Sequence, residues 1–209
     1  MDRSWFRRLH SIAGIVPLGA FLAFHLTVNA SARLGAEAYN ATVHRLQQLP
    51  LLGIVEIVCL LAPLAFHAVG GLFLIATVPV GSELAEHPTR MGRARALLQR
   101  VTGVLLFAFI LFHLWTARLV QLEDHESLDL FHLMQSALAS PWIRVLYFGG
   151  ILAATGHFAA GLCSFAQTWG LARSPRARAA VAAFAVAVFL VLAAVGIRAV
   201  AAFPPPNPV

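Results

Sequence analysis

Apolar residues come in five long runs separated by short polar breaks, at about residues 12–32, 51–78, 97–119, 142–169 and 179–203. Each run is near the roughly 20 residues that a helix needs to cross about 30 Å of hydrocarbon. None shows the strict apolar–polar alternation of a barrel strand, and in lipid only helices or closed barrels satisfy every backbone group. The pattern predicts an all-α integral membrane bundle of five transmembrane helices, a single domain over residues 1–209. The polar breaks at 33–50 and 120–141 are the longest. Within them, residues 38–46 and 128–138 carry the spacing of amphipathic helices lying at the membrane interface.

Composition agrees with the pattern. Of 209 residues, 59% are hydrophobic and 11% charged, against about 45–50% and 25% in soluble domains. So much apolar surface does not fit one soluble core of this size, which excludes a soluble enzyme. Cys59 and Cys163 both fall inside apolar runs, so a disulfide-stapled secreted domain is excluded too. They read as small apolar residues. The net charge of +6 comes from arginine alone. These arginines stand in the breaks, as topology determinants do, and give no nucleic-acid footprint.

Arginine counts orient the bundle. Arg3, Arg7, Arg8, Arg90, Arg93, Arg95, Arg100, Arg173, Arg176 and Arg178 fall on one side. Arg33, Arg45, Arg118, Arg144 and Arg198 fall on the other, with the acidic cluster Glu123, Asp124, Glu126 and Asp129. The positive-inside rule then puts the N-terminus in the cytoplasm and the C-terminus outside. A rival reading makes the first run a cleaved signal peptide ending at Ala30-Ser31-Ala32, but its apolar stretch exceeds the usual 7–15 residues. Four more spans also follow it.

Histidines carry the chemistry. His25, His67, His113 and His157 lie deep in four successive runs, where ionisable groups are expensive. At 1.5 Å per residue, His25 and His113 fall roughly 21–24 Å from the cytoplasmic end, and His67 and His157 roughly 22–24 Å from the external end. The four therefore form two layers: His25 with His113 toward the outside, His67 with His157 toward the inside. Two facing imidazoles form a bis-histidine clamp for haem iron. The ligating form is neutral imidazole, which a low-dielectric surrounding favours. The chain has no Cys-x-x-Cys-His run, so such a haem is b-type. Gly70, Gly71, Gly156 and Gly161 offer small surfaces near the ligands, while Pro17 and Pro63 widen or kink their helices. Histidines that only pack, in a haem-poor structural anchor, and histidines of a proton or metal transporter are the competing readings.

At these residues the chain resembles the five-helix, dihaem cytochrome b anchor subunits of succinate:quinone oxidoreductases, the succinate dehydrogenase and fumarate reductase group. The resemblance runs nearly end to end. Its carriers are Arg7-Arg8-Leu9-His10-Ser11-Ile12-Ala13-Gly14, Phe24-His25-Leu26-Thr27-Val28-Asn29, Tyr39-Asn40 with Leu49-Pro50, Phe66-His67-Ala68-Val69-Gly70-Gly71, Arg100-Val101-Thr102-Gly103, Phe112-His113-Leu114-Trp115 and Gly156-His157-Phe158-Ala159-Ala160-Gly161. It implies two haem b groups, a proximal one on His67 and His157 and a distal one on His25 and His113. It also implies a flavoprotein subunit, an iron–sulfur subunit and an exchangeable quinone, taken as menaquinone. Electrons would run between succinate or fumarate chemistry on the partners and quinone in a bacterial cytoplasmic membrane, as part of respiratory electron transport and the tricarboxylic acid cycle. Some fumarate-reducing relatives carry a proton-conducting glutamate two residues before the last ligand; this chain has Thr155 there.

Glu56 is the one carboxylate well inside a run, about three turns to the external side of His67, and is the candidate proton group of a quinone site. It otherwise reads as a helix-end carboxylate bonded to water or an arginine. Arg118, one turn past His113, either pairs a haem propionate or anchors its helix at the interface. His10, beside Arg7 and Arg8, either meets a propionate or the iron–sulfur partner, or stands solvated at the interface. His44, His87, His125 and His132 fall in the breaks and receive no role.

Overall fold

The computed structural model describes residues 3–85, 89–116 and 129–204, and the regular structure among them is all helical. Five helical segments are long and apolar enough to cross a membrane: Ser4–Leu34, Leu52–Thr77, Arg90–Leu114, Pro141–Thr168 and Pro175–Ala201.

The first span is α1 (Arg3–Ile15) followed by α2 (Pro17–Asn29) and a 3-10 turn, Ala30–Leu34. Pro17 has no N–H to donate and so interrupts the ladder at Val16. The span still continues, because Val16 N–H bonds the Ile12 carbonyl at 2.9 Å and Ala20 N–H bonds the Val16 carbonyl at 3.1 Å. Gly35 then ends the span at φ +94°, ψ 173°, a conformation that essentially only glycine adopts. The second span comprises α4 (Leu52–Val55), a π-helical segment Glu56–Leu61, and α5 (Ala62–Thr77). The wide turn has a local cause: the Pro63 ring would strike the Cys59 carbonyl in a regular α-helix.

The third span is α7 (Arg90–Leu114), the fourth α9 (Pro141–Thr168) and the fifth α10 (Pro175–Ala201). Both α7 and α10 begin earlier than the apolar runs suggest, as does α1. Polar residues set those starts. The Thr89 side chain accepts from Gly92 N–H at 3.0 Å, and Ser174 accepts from Ala177 N–H at 3.1 Å; such caps satisfy amides that a helix start leaves open. Residues 117–119, the expected end of the third span, lie outside the described residues, as do His87, Arg118, Glu123, Asp124, His125 and Glu126.

α9 is the centre of the bundle and packs against α1, α7 and α10. In its most apolar window 39% of residues are buried, against 6–17% in the other spans. Small residues bring the backbones close, the usual device where lipid gives no hydrophobic drive between helices. A Cβ on Gly196 of α10 would lie 2.8 Å from Ile151 of α9 and 3.1 Å from Leu26 of α2.

Short helices cover one end: α3 (Ala36–Gln47) and α8 (Leu130–Ala137) occupy the two breaks read as amphipathic. Asn40 joins them, its amide donating to Asp129 Oδ1 at 2.8 Å and accepting from Phe131 N–H at 3.0 Å. Beneath lies a core that includes Tyr39, Leu130, Phe131, Leu138, Tyr147 and Phe203. At the other end α6 (Val80–Ala85) contributes Glu83 to an ion pair with Arg100. The Arg100 guanidinium also donates to the Ile75 and Val78 carbonyls at 2.8 and 3.0 Å, which closes the open carbonyl end of α5.

Candidate functional site

Four helices each bring one imidazole toward the bundle axis, and the imidazoles meet in two pairs. His67 of α5 and His157 of α9 have ring centroids 6.1 Å apart with planes at 82°. His25 of α2 and His113 of α7 lie 5.7 Å apart at 76°. The first pair is near the bundle end that carries the N-terminus, the second near the end covered by α3 and α8. These are the two groupings that depth along the spans predicts.

Hydrogen bonds decide which ring nitrogen is available. Nδ1 of His67 lies 2.9 Å from the His10 carbonyl, and Nδ1 of His157 lies 3.1 Å from the Gln99 carbonyl. A carbonyl only accepts, so each Nδ1 carries the proton and each Nε2 keeps its lone pair. Thr102 Oγ1 stands 3.3 Å from His157 Nδ1. His113 Nδ1 lies 3.3 Å from the Tyr147 hydroxyl. Asn29 Nδ2 donates to the His25 carbonyl at 2.8 Å and lies 3.5 and 3.4 Å from the His25 Nδ1 and Nε2, and Asn29 Oδ1 accepts from Tyr39 at 3.2 Å. Tyr39 is buried, which pushes its phenol up to about 12, the nearby Tyr147 adding to the effect.

This donor set fits a group that takes one imidazole nitrogen on each face. The backbones beside the first pair are cut away to match. A Cβ on Gly14 would overlap the His67 ring, and one on Gly103 would lie 3.1 Å from His157 Cε1. Bis-histidine ligation needs two donors only. The described residues gather no group of three or more His, Cys, Asp or Glu around one point.

Other expected positions fall out differently. Gly70 and Gly71 face Phe6 and His10, whereas Gly161 faces Gln99 and Ile15. At these positions the nearest atoms to an added Cβ belong to those residues rather than to the paired rings. His10 is not solvated at the interface: it stacks on His67 with centroids 4.1 Å apart and planes at 7°, and its buried Nδ1 has no partner among the described residues. Thr155 is fully buried and donates to the Ile151 carbonyl of its own helix at 2.7 Å. Glu56 lies on the π-helical segment, which packs against α2, the helix of His25. Asn29, Tyr39, Tyr147, Thr116, Gln99 and Thr102 were not predicted to act on the histidines. Of these, the sequence itself sets two beside a histidine: Asn29, four residues after His25, and Thr116, three residues after His113.

Fold and site together define a class: a five-span membrane bundle that presents paired, half-buried imidazoles, as membrane cytochromes of the b type do. Residues 90–194 match the succinate dehydrogenase/fumarate reductase transmembrane subunit family. The chain is also 37% identical, over 199 residues, to the succinate dehydrogenase cytochrome b558 subunit of Bacillus subtilis (strain 168), covering 95% of this chain and 96% of that protein. No solved structure matches. The chain belongs to the family of succinate dehydrogenase/fumarate reductase transmembrane subunits. It is thus an integral membrane component of an oxidoreductase with further subunits.

Proposed function

We propose that this chain is the dihaem cytochrome b anchor of its complex, with His67 and His157 holding one b-type haem and His25 and His113 the other. The observation that carries the reading is the meeting of four histidines, one from each of four spans, in two facing pairs. The cytochrome b name of the Bacillus subtilis relative supports it. When bound, the haems supply one-electron carriers between an iron–sulfur partner, fed by a flavoprotein, and membrane quinone, taken as menaquinone. The chain's own contribution is positional. The His10 and Gln99 carbonyls and the Tyr147 hydroxyl orient three of the imidazoles, and Gly14 and Gly103 keep room beside two of them.

The arginine distribution supports an orientation with the His67/His157 pair toward the cytoplasm of a bacterial inner membrane and the His25/His113 pair toward the outside. Glu56 is proposed as the proton group of a quinone site on the outer side, since its segment packs against the helix of His25. Dicarboxylate chemistry belongs to the partner subunits.

The test is a reduced-minus-oxidised spectrum with haem quantification on the purified complex. Two b-type haems per chain are expected, and a haem-free preparation would overturn the reading. His67→Ala and His157→Ala should each remove one spectral component, and His25→Ala and His113→Ala the other. A crossed pattern would break the pairing.

A further inference from the structure

The two pairs are held by different kinds of acceptor. His67 and His157 give their Nδ1 protons to main-chain carbonyls at 2.9 and 3.1 Å, which no side-chain substitution removes, and Thr102 Oγ1 is only a longer second neighbour of His157 at 3.3 Å. His113 instead faces a side chain, and there three distances close a ring. Thr116 Oγ1 lies 3.2 Å from the His113 carbonyl, 3.0 Å separates Thr116 Oγ1 from the Tyr147 hydroxyl, and 3.3 Å separates that hydroxyl from His113 Nδ1.

Proton counting gives the ring one direction. A hydroxyl has one hydrogen to donate. The His113 carbonyl can only accept, so the Thr116 hydrogen is spent on it. Thr116 oxygen is then the acceptor for Tyr147, whose own hydrogen is spent there. The phenol oxygen is left to accept the proton of His113 Nδ1, and Nε2 keeps its lone pair. Phe109 and Phe112 pack edge-on against Tyr147, with centroids at 5.5 and 6.2 Å and planes at 89° and 74°, so the phenol ring has little freedom to turn away. Both tyrosines of the chain serve this pair, since Tyr39 holds the Asn29 amide over His25.

We propose that Tyr147, locked by Thr116, is the positioning residue of the His25/His113 pair: it fixes the ligating tautomer of His113 and sets how strongly that imidazole donates to a bound haem. The inference rests on the haem reading above. A ligating histidine whose second nitrogen gives its proton to a good acceptor is a stronger donor, and second-shell hydrogen bonding is one of the protein's levers on haem potential.

The experiment is a redox titration, with the electron paramagnetic resonance signal of each haem, on the assembled complex carrying Tyr147→Phe or Thr116→Val. Loss of the acceptor should raise the midpoint potential of the component that His113→Ala removes and move its low-spin signal. The other component stays in place as the internal standard. Thr116→Val should shift the same component in the same direction, because the phenol then loses the oxygen that takes its hydrogen and holds its lone pair toward His113 Nδ1. If Tyr147→Phe loses haem from this pair, Thr116→Val, which keeps the phenol packing, decides the matter. Wild-type potentials and signals in Thr116→Val, or in a fully loaded Tyr147→Phe, would overturn the inference while leaving the ligand assignment intact. A His113→Ala complex that keeps every spectral component would overturn the ligand assignment, and this inference with it.

Discussion

Gly14 and His67 approach so closely that a methyl group on the glycine would overlap the imidazole ring. Nothing beside that ring can give easily, because the ring is stacked on His10 and its Nδ1 is tied to the His10 carbonyl. At Gly103 the added carbon would lie 3.1 Å from His157 Cε1, a contact that a shift of a few tenths of an ångström relieves. Gly14→Ala is therefore expected to empty the His67/His157 pair of haem, and Gly103→Ala to do so only in part. Both should leave the His25/His113 component at full height in a reduced-minus-oxidised spectrum. Equal loss in the two variants would show that the close approach at Gly14 is unimportant. The sequence exposes the four histidines, because an ionisable group in an apolar run is conspicuous. It does not expose Gly14 or the His10 stack. Those depend on how α1 crosses α5, and the seven positions from Arg8 to Gly14 look alike as an interfacial helix start.

At the scale of elements, the cover over one end of the bundle hangs on few polar contacts. Asn40 contributes two, and Asp129 is shared between Asn40 and His132. The Asn40 amide, then the His132 backbone and side chain, hold the Asp129 carboxyl down to about 2. A carboxylate with a depressed folded-state value contributes stability above its ordinary value, near 3.9, and that stability is lost as pH falls through the folded value. Asn40→Ala should lower stability by about 2 kcal/mol, two hydrogen bonds at about 1 kcal/mol each. The difference between variant and wild type in thermal unfolding of the detergent-solubilised chain should be full above about pH 4. It should shrink as the pH approaches 2; a gap independent of pH would mean that the charge of Asp129 is not part of the clamp. The amphipathic spacing of residues 38–46 and 128–138 announces α3 and α8, yet not that they pack on each other. That requires an asparagine and an aspartate 89 residues apart to meet.

At the scale of the whole molecule, α9 is the strut against which the first, third and fifth spans pack. Phe109 of α7 lies flat against Gly150, where a Cβ would come within 2.5 Å of three of its ring carbons. Phe109 also stacks on His113, with centroids 5.8 Å apart and planes at 16°, so helix packing and one histidine pair share a residue. Gly150→Val should destabilise the bundle by about 1–3 kcal/mol, as overpacking does, and should disturb the His113 component before the His157 one. Detergent stability and the spectrum measured on one sample check both parts. Loss of the His157 component alone would sink the link through Phe109.

By itself, the sequence determined the class of the molecule: an apolar run of membrane-spanning length leaves its backbone few alternatives to a helix. It also determined the two levels of the histidines, because a helix converts residue spacing directly into depth. Pro17 and Pro63 marked local departures from regular helix for equally local reasons, the missing N–H at Pro17 and the clash of the Pro63 ring with the Cys59 carbonyl. Tertiary structure decided what depth cannot. It brought His10 onto His67 and set Tyr147 and Thr116 around His113. It also gave the first pair main-chain acceptors and the second a side-chain one. Those choices depend on helix rotation and crossing, which are set by side-chain contacts between segments far apart in the chain. No single span records them.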